Sequence, residues 1–302
     1  MARKKGLLYR SIRGLLVLAL LFSAASLVYI WKIGAWHFLF PSTHHDTLAP
    51  ALPADLHSPA VLVFSKTNGY RHRDGISGGA QALGEIASTR GWSYFHTENG
   101  AVFNARDLAR FDAVVFLNVT GDILDTAQEK AFEQWLTGGG GWLGIHSAGD
   151  TQRVDWQWYL DELIGTRFTA HIMSPQFQRA TVVLENHQHP ALRGIQDIWT
   201  HVEEWYSWER SPRGAGFTIL ATLDEGSYTP VQKMPLTGVE RDLHMGDHPV
   251  VWSRCIDSGR SLYTALGHKA EAFEQPQFRL LLENSLSWLM AADTGPDSDQ
   301  GC

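Results

Sequence analysis

Hydrophobic residues are unevenly distributed along this chain, and their spacing divides it. From Leu15 to Trp31 every position is apolar except Ser23 and Ser26, and beyond Lys32 apolarity resumes with Ile33, Ala35, Trp36, Phe38, Leu39 and Phe40. A helix that crosses the hydrocarbon core needs roughly 20 apolar residues, so the pattern predicts one transmembrane signal-anchor helix within residues 15–40, after a basic segment, residues 1–14. Residues 41–59 hold four prolines and no helical or strand period, which reads as a linker. Residues 60–291 form the folded domain, and the acidic, glycine- and serine-containing stretch 292–302 reads as a disordered tail.

Inside the domain, short apolar runs alternate with amphipathic stretches. Ala60–Phe64 and Ala113–Leu117 are continuous apolar runs of the kind buried on both faces of a parallel sheet. Trp92–His96 reads as another strand. Residues 78–88 and Thr126–Leu136 read as helices, the second with Ala127, Ala131 and Trp135 at helical spacing and leading into a strand at Gly141–Ile145. Strands interleaved with helices imply right-handed crossovers. The expected fold is therefore α/β, a flavodoxin-like, doubly wound and mostly parallel sheet. The second half is less regular, with strands expected at Thr181–Leu184, Thr218–Thr222, Pro249–Trp252 and Ser261–Leu266, and a closing helix at Pro276–Met290.

Charge narrows the partners. Arg3, Lys4, Lys5, Arg10, Arg13 and Lys32 precede the first acidic residue, Asp46, so removing these six positive charges from a chain total of −7 leaves −13 on the remainder. Nucleic acid is excluded as an expected partner, because the globular part lacks a basic footprint. The basic amino-terminal flank implies a cytoplasmic Met1 and a periplasmic or extracellular domain. Ser23-Ala24-Ala25 supplies the small residues of a cleavage site, so a removed signal peptide is the rival reading. Of the two cysteines, Cys255 reads as a small core residue and Cys302 is the last residue; no structural disulfide and no thiolate metal site is expected.

Candidate chemistry gathers at Gly144-Ile145-His146-Ser147. A glycine-rich run ends the preceding helix, a buried strand follows, and the chain must then turn sharply. Ligands bind outside the carboxyl ends of such strands, where an imidazole suits proton transfer, metal ligation or hydrogen bonding to a polar ligand. The first strand is followed by Ser65-Lys66-Thr67-Asn68-Gly69-Tyr70, which is neither a dinucleotide fingerprint nor a phosphate loop, so nicotinamide, flavin and nucleotide triphosphates are not implied. Trp142, Trp156, Trp158, Trp199, Trp205 and Trp208 could stack on sugar faces, and two of the six are expected to line a ligand pocket.

Several separated motifs then occur in a recognisable order: Thr67-Asn68-Gly69-Tyr70-Arg71-His72, the segment Gly139 to Ala148 around His146, Phe168-Thr169-Ala170-His171, His189-Pro190, Glu203-Glu204-Trp205-Tyr206, Asp247-His248-Pro249-Val250-Val251-Trp252, and Gly259 to His268. Over residues 58–291 the chain resembles the ThuA-like (trehalose utilisation) family, whose fold is that of class I glutamine amidotransferases. Glu203 departs from the family pattern, in which an aspartate commonly precedes Glu-Trp-Tyr. The resemblance implies that His146 stands where the amidotransferases carry their cysteine nucleophile. Glutaminase activity is therefore not expected, since imidazole cannot reproduce thioester chemistry.

The polar set that the resemblance leaves is His146, Glu204 and His268 as catalytic residues, with His72, Tyr206, His171 and His248 contacting substrate. His146, His171 and His268 are the candidate ligands of a divalent metal such as zinc; no other cofactor is implied. Glu203 and Glu204 are adjacent and in a strand would face opposite sides, so only Glu204 is expected to serve the pocket, its pKa raised by aromatic neighbours. The favoured reading is a membrane-anchored enzyme of carbohydrate catabolism, a hydrolase, lyase or isomerase acting on a trehalose-type disaccharide or keto-sugar. A non-catalytic sugar-binding or sensory module and an inert scaffold are the readings left open, as are substrate identity and oligomeric state.

Overall fold

The computed structural model describes residues 2–233 and 238–291, with side chains from residue 12 onward. Helix α1 (Ala2–Lys32) opens the chain and includes an apolar stretch, Ile12–Lys32, of 21 residues, unburied along its length and touching the domain only near its last turn. The helix is long and apolar enough to cross a membrane, a property shared by signal sequences. It ends where Gly34 takes a left-handed φ of +80°, and a separate short helix α2 (Trp36–Leu39) follows.

Next come β1 (Ala60–Phe64), α3 (Arg73–Arg90), β2 (Ser93–Thr97), α4 (Ala105–Leu108), β3 (Ala113–Leu117), α5 (Thr126–Thr137) and β4 (Gly141–Ile145). The second half holds β5 (Phe168–His171), β6 (Gln178–Leu184), β7 (Ile198–Glu203), β8 (Tyr206–Trp208), β9 (Thr218–Asp224), β10 (Val231–Lys233), β11 (Glu240–Asp242), β12 (Pro249–Ile256), β13 (Gly259–Thr264) and α6 (Pro276–Leu289). A nine-stranded sheet runs β2-β1-β3-β4-β13-β12-β9-β6-β7. Its first five strands are mutually parallel, and the last four extend it in antiparallel fashion. The parallel block has the 2-1-3-4-5 order of doubly wound flavodoxin-like sheets. The fold is thus the expected α/β class.

Local sequence explains the elements. β1, β3 and β4 are buried at every position, because helices cover both faces of a parallel block. Helix α5 starts with a capping box in which Asp125 accepts from the Gln128 amide and Gln128 answers the Asp125 amide, satisfying two otherwise orphaned donors. Helix α3 begins at Arg73, five residues before its expected start, and stops at Gly91 in the left-handed region.

Several details depart from expectation. β5 and β8 are too short to show a period, and β7 buries Trp199, His201 and Glu203 while exposing Ile198 and Val202, so its hydrophobic pattern does not mark its inward face. The linker 41–59 lies along the domain: Leu52 and Leu56 pack on the core, Asp46 pairs with Lys66, and its carbonyl accepts from Gln128 at 2.7 Å. Cys255 is disulfide-bonded, against the expectation of a free core cysteine; it sits near the end of β12 and is only half buried. The proposed tail, residues 292–302, lies outside the described residues.

Candidate functional site

The carboxyl ends of the parallel strands converge on one buried polar cluster. β4 ends at Ile145, and His146 then adopts φ +50°, unusual for a residue with a Cβ. That strained turn is held from three directions. The Tyr263 hydroxyl donates to the His146 carbonyl at 2.7 Å, the Ala265 carbonyl takes the ring Nδ1 at 2.8 Å, and Asn118, itself at φ +53° after β3, accepts from Ser147 Oγ at 3.3 Å. The Ala265 contact places a hydrogen on Nδ1 and turns Nε2 toward His268 and Glu204.

His268 follows β13 through Gly267. Its Nδ1 lies 3.0 Å from His146 Nε2 and 3.0 Å from Glu204 Oε2, and the last two atoms are 3.5 Å apart. His72, at the junction between β1 and α3, packs edge-on against both other imidazoles, with ring centroids 4.9 Å and 4.6 Å away. Ligand atoms from His72, His146, Glu204 and His268 all lie within 4.8 Å of one another, and all four residues are buried. His72 Nδ1 is buried without a hydrogen-bond partner. His171 Nδ1 stands 3.1 Å from the other Glu204 oxygen, and Tyr206 lays its ring 4.5 Å from that of His146.

Electrostatics follow from this packing. Burial disfavours charge on Glu204, but its bonds to His146 and His268 win and hold its pKa well below the carboxylate norm. Burial likewise opposes a charged His146, yet the Glu204 bond and the charges of Glu203 and Glu204 raise its pKa. His72 goes the other way: burial, followed by the proximity of His146 and His268, pushes its pKa well down. The cluster thus combines a firm carboxylate, a basic imidazole and a neutral imidazole with a free lone pair. Such a set fits a divalent ion, because ligands about 2.1 Å from a common centre are about 3.0–3.4 Å apart in octahedral or tetrahedral arrangement. It also fits general acid–base work.

Residues 60–289 match the family model described as ThuA, trehalose utilisation. The chain belongs to the ThuA family. It is similar in structure to a ThuA-like protein from Bacteroides uniformis, with 24% identity, coverage of 80% of this chain and 95% of that one, and a TM-score of 0.63. A ThuA-like protein from Parabacteroides merdae gives 16% identity, 77% and 90% coverage, and a TM-score of 0.57. No curated protein matches the chain.

Against the positions expected from the ThuA motifs, the structure brings His72, His146, His171, Glu204, Tyr206 and His268 together. His248 stands apart: its Nδ1 meets Glu225 at 2.8 Å and its Nε2 donates to the Tyr206 carbonyl at 2.8 Å, so both nitrogens are committed to protein groups and it supports Tyr206 from behind. The group with metal-binding spacing contains His72 and Glu204 in place of His171. Glu204 is a strong acid in this setting, because imidazoles outweigh the aromatic burial that was expected to raise its pKa. None of the six tryptophans lines the cavity of about 270 Å³ that opens onto His72 and His268; Trp142, Trp205 and Trp208 are core, Trp199 borders a separate cavity of about 390 Å³ with Thr181 and Gln277, and Trp156 borders a gap of about 20 Å³ beside Asp150.

The strand rule for adjacent glutamates also gives way. Glu203 closes β7 and Glu204 lies just beyond it, freed from the alternation, and both are buried. Glu203 accepts from the amides of Gly267 at 2.7 Å, His268 at 3.3 Å and Glu204 at 2.9 Å. It therefore ties together the backbone of two site residues. Asp150, four residues past the elbow, was also not anticipated; burial raises its pKa to about 6. Only its place in the elbow segment could have flagged it.

Proposed function

We propose that this ThuA-family protein is a membrane-anchored enzyme of carbohydrate catabolism, working outside the cytoplasm through the His/Glu cluster on a trehalose-type disaccharide or keto-sugar. The observation that carries the reading is the convergence of His72, His146, Glu204 and His268, with one buried imidazole nitrogen left unbonded. His72, His146, Glu204 and His268 would hold a divalent ion such as zinc, which would supply Lewis-acid polarisation of a sugar oxygen. The chain's own groups do the rest. Ala265 and Glu203 orient the imidazoles, Glu204 keeps its negative charge, and His171 and Tyr206 border the carboxylate and ring that face substrate. A nucleophilic role for the elbow is unsupported, since it carries imidazole and the Ser147 hydroxyl is bonded to Asn118.

A second reading, bare acid–base catalysis, is favoured by the contacts themselves: His268 Nδ1 lies 3.0 Å from His146 Nε2 and 3.0 Å from Glu204 Oε2, a continuous chain of titratable groups within proton-transfer reach. Anchoring is supported by the span at Ile12–Lys32, and an extracytoplasmic domain by the disulfide at Cys255, since disulfides persist in oxidising compartments.

Elemental analysis of the freshly purified full chain decides between the two chemistries. The metal reading expects close to one divalent ion per chain, falling at least about tenfold in affinity in Glu204→Gln and His146→Ala. Bare acid–base chemistry expects none, with sugar turnover still lost in both variants. If a panel of glycosides and their keto derivatives is left unchanged with and without divalent ions, the enzymatic reading fails.

A further inference from the structure

The opening above the His/Glu cluster is built partly by the end of the apolar helix. Lys32 and Ile33 line the same cavity of about 270 Å³ as His72 and His268. Specific contacts fix that placement. Arg73, next to His72, donates to the Trp31 carbonyl at 3.0 Å and lays its guanidinium 4.4 Å from the Trp31 ring centre. The Gly34 carbonyl accepts from the Arg71 amide at 2.9 Å, and a Cβ at Gly34 would lie 2.1 Å from the Arg71 oxygen, so the backbones touch there and only glycine fits. Beside this junction Ile33, Phe38 and Phe40 remain exposed.

In a chain whose helix spans the bilayer, Lys32 marks the membrane surface, and an apolar collar just beyond it belongs in the interface. A molecule reaching His268 by this opening then passes through the headgroup layer. Lys32, Arg73 and Lys269 line the opening beside one lining carboxylate, Asp74, while Arg71 on the same rim is already paired in bidentate fashion with Glu98. Such a rim favours negative charge.

We propose that the substrate is membrane-borne: an anionic, hydroxylated headgroup, a sugar or polyol phosphate, that meets the cluster while still attached to its lipid. The proposal rests on the anchored, carbohydrate-directed reading above and specifies the source of the sugar. Free sugar phosphates share the headgroup chemistry, and the test separates the two sources.

The full chain is placed in phosphatidylcholine nanodiscs containing phosphatidylinositol with a photoreactive headgroup, and adducts are mapped by mass spectrometry. Adducts are expected on the segments holding Tyr70 to Asp74 and Phe177 or Lys269. Lys32→Gln and Lys269→Gln should each lower their yield by about fivefold, the effect of one basic side chain at an anionic surface. Free inositol phosphate at the same total concentration should compete by less than about twofold, because the lipid is concentrated by confinement. Equal competition by the free compound assigns the site to soluble sugars and overturns the proposal. Adducts confined to other segments, or yields unchanged in both variants, overturn it as well.

Metal content of the same nanodiscs reports separately on the cluster. Absent metal with intact adducts sinks only the metal chemistry, and metal without adducts sinks only the lipid source. An intact mass lacking the residues before Leu27 removes the anchor and this proposal with it.

Discussion

Glu203 shows how a residue outside the reacting groups decides their geometry. Its carboxylate receives three backbone amides, two of them from Gly267 and His268, so the His268 ring stands where it does because Glu203 is charged. Burial alone would raise its pKa, but His201, the charge of His146 and the Gly267 amide bring it below the usual carboxylate range. Glu203→Gln keeps the volume and removes the charge. Weakening these charge-assisted bonds should cost about 2 kcal/mol in urea unfolding, and ion affinity should fall by about tenfold. An unchanged affinity with reduced stability would confine Glu203 to a structural role. Glu225 gives the corresponding pH prediction. Burial opposes its charge, yet the His248 bond and the Met245 and Gly246 amides bring its pKa to about 2, from 4.5 in the unfolded chain. The native state therefore binds fewer protons over that interval, so the stabilisation is complete above about pH 4.5 and is lost as pH falls toward 2. Glu225→Gln should flatten this part of the acid limb in a pH series of denaturation curves; an unaltered limb would show that Glu225 contributes nothing to it. At this scale the sequence was most informative where a motif repeated known spacing, as for His146 and Glu204. It turned Glu203 away from the pocket, wrongly, because alternation along a strand predicts direction only while the strand lasts, and β7 ends at that residue.

At the scale of elements, the site exists because α3 packs unusually close to the chain after β13. A Cβ added at Gly75 would lie 2.5 Å from the His268 carbonyl oxygen and 2.6 Å from that of Gly267. Real side chains do not approach so closely, so the first turn of α3, which carries His72 at its cap, would have to move away from His268. Gly75→Ala should therefore separate His72 from the other ligands, cost about 1–3 kcal/mol as an overpacked contact, and reduce ion occupancy in proportion. Gly84→Ala supplies the control, since its added Cβ meets only Tyr94 at 3.8 Å. Equal occupancy in the two variants would show that the close approach is irrelevant to the cluster. The parallel block was legible because continuous apolar runs between helices leave few alternatives. The second half was not, since β5 and β8 pair only with each other, β5 having mixed burial and β8 being a fully buried run of only three residues, Tyr206–Trp208, so neither alternation nor a continuous apolar run marks both of them.

For the whole molecule, the proposed anchor sets which side of a membrane the domain would occupy. The apolar stretch Ile12–Lys32 has 21 residues, which at helical rise gives about 30 Å, the thickness of a hydrocarbon core. Five of the six basic residues that precede Asp46 lie before that stretch or at its start, and only Lys32 lies at its far end. If the proposed anchor is retained, this imbalance would hold Met1 in the cytoplasm and send the acidic domain outward. Protease added to intact spheroplasts should then degrade the domain while a tag placed before Met1 survives, and the chain should sediment with membranes. Neutralising Arg3, Lys4, Lys5, Arg10 and Arg13 together should weaken that orientation and protect a fraction of the domain from external protease, because a single lysine at the far end of the helix then carries the remaining charge bias. Recovery of the domain in the soluble periplasmic fraction would instead identify the stretch as a cleaved signal. Full protection in the parent chain would place the His/Glu cluster in the cytoplasm, where the Cys255 disulfide would be expected to be reduced.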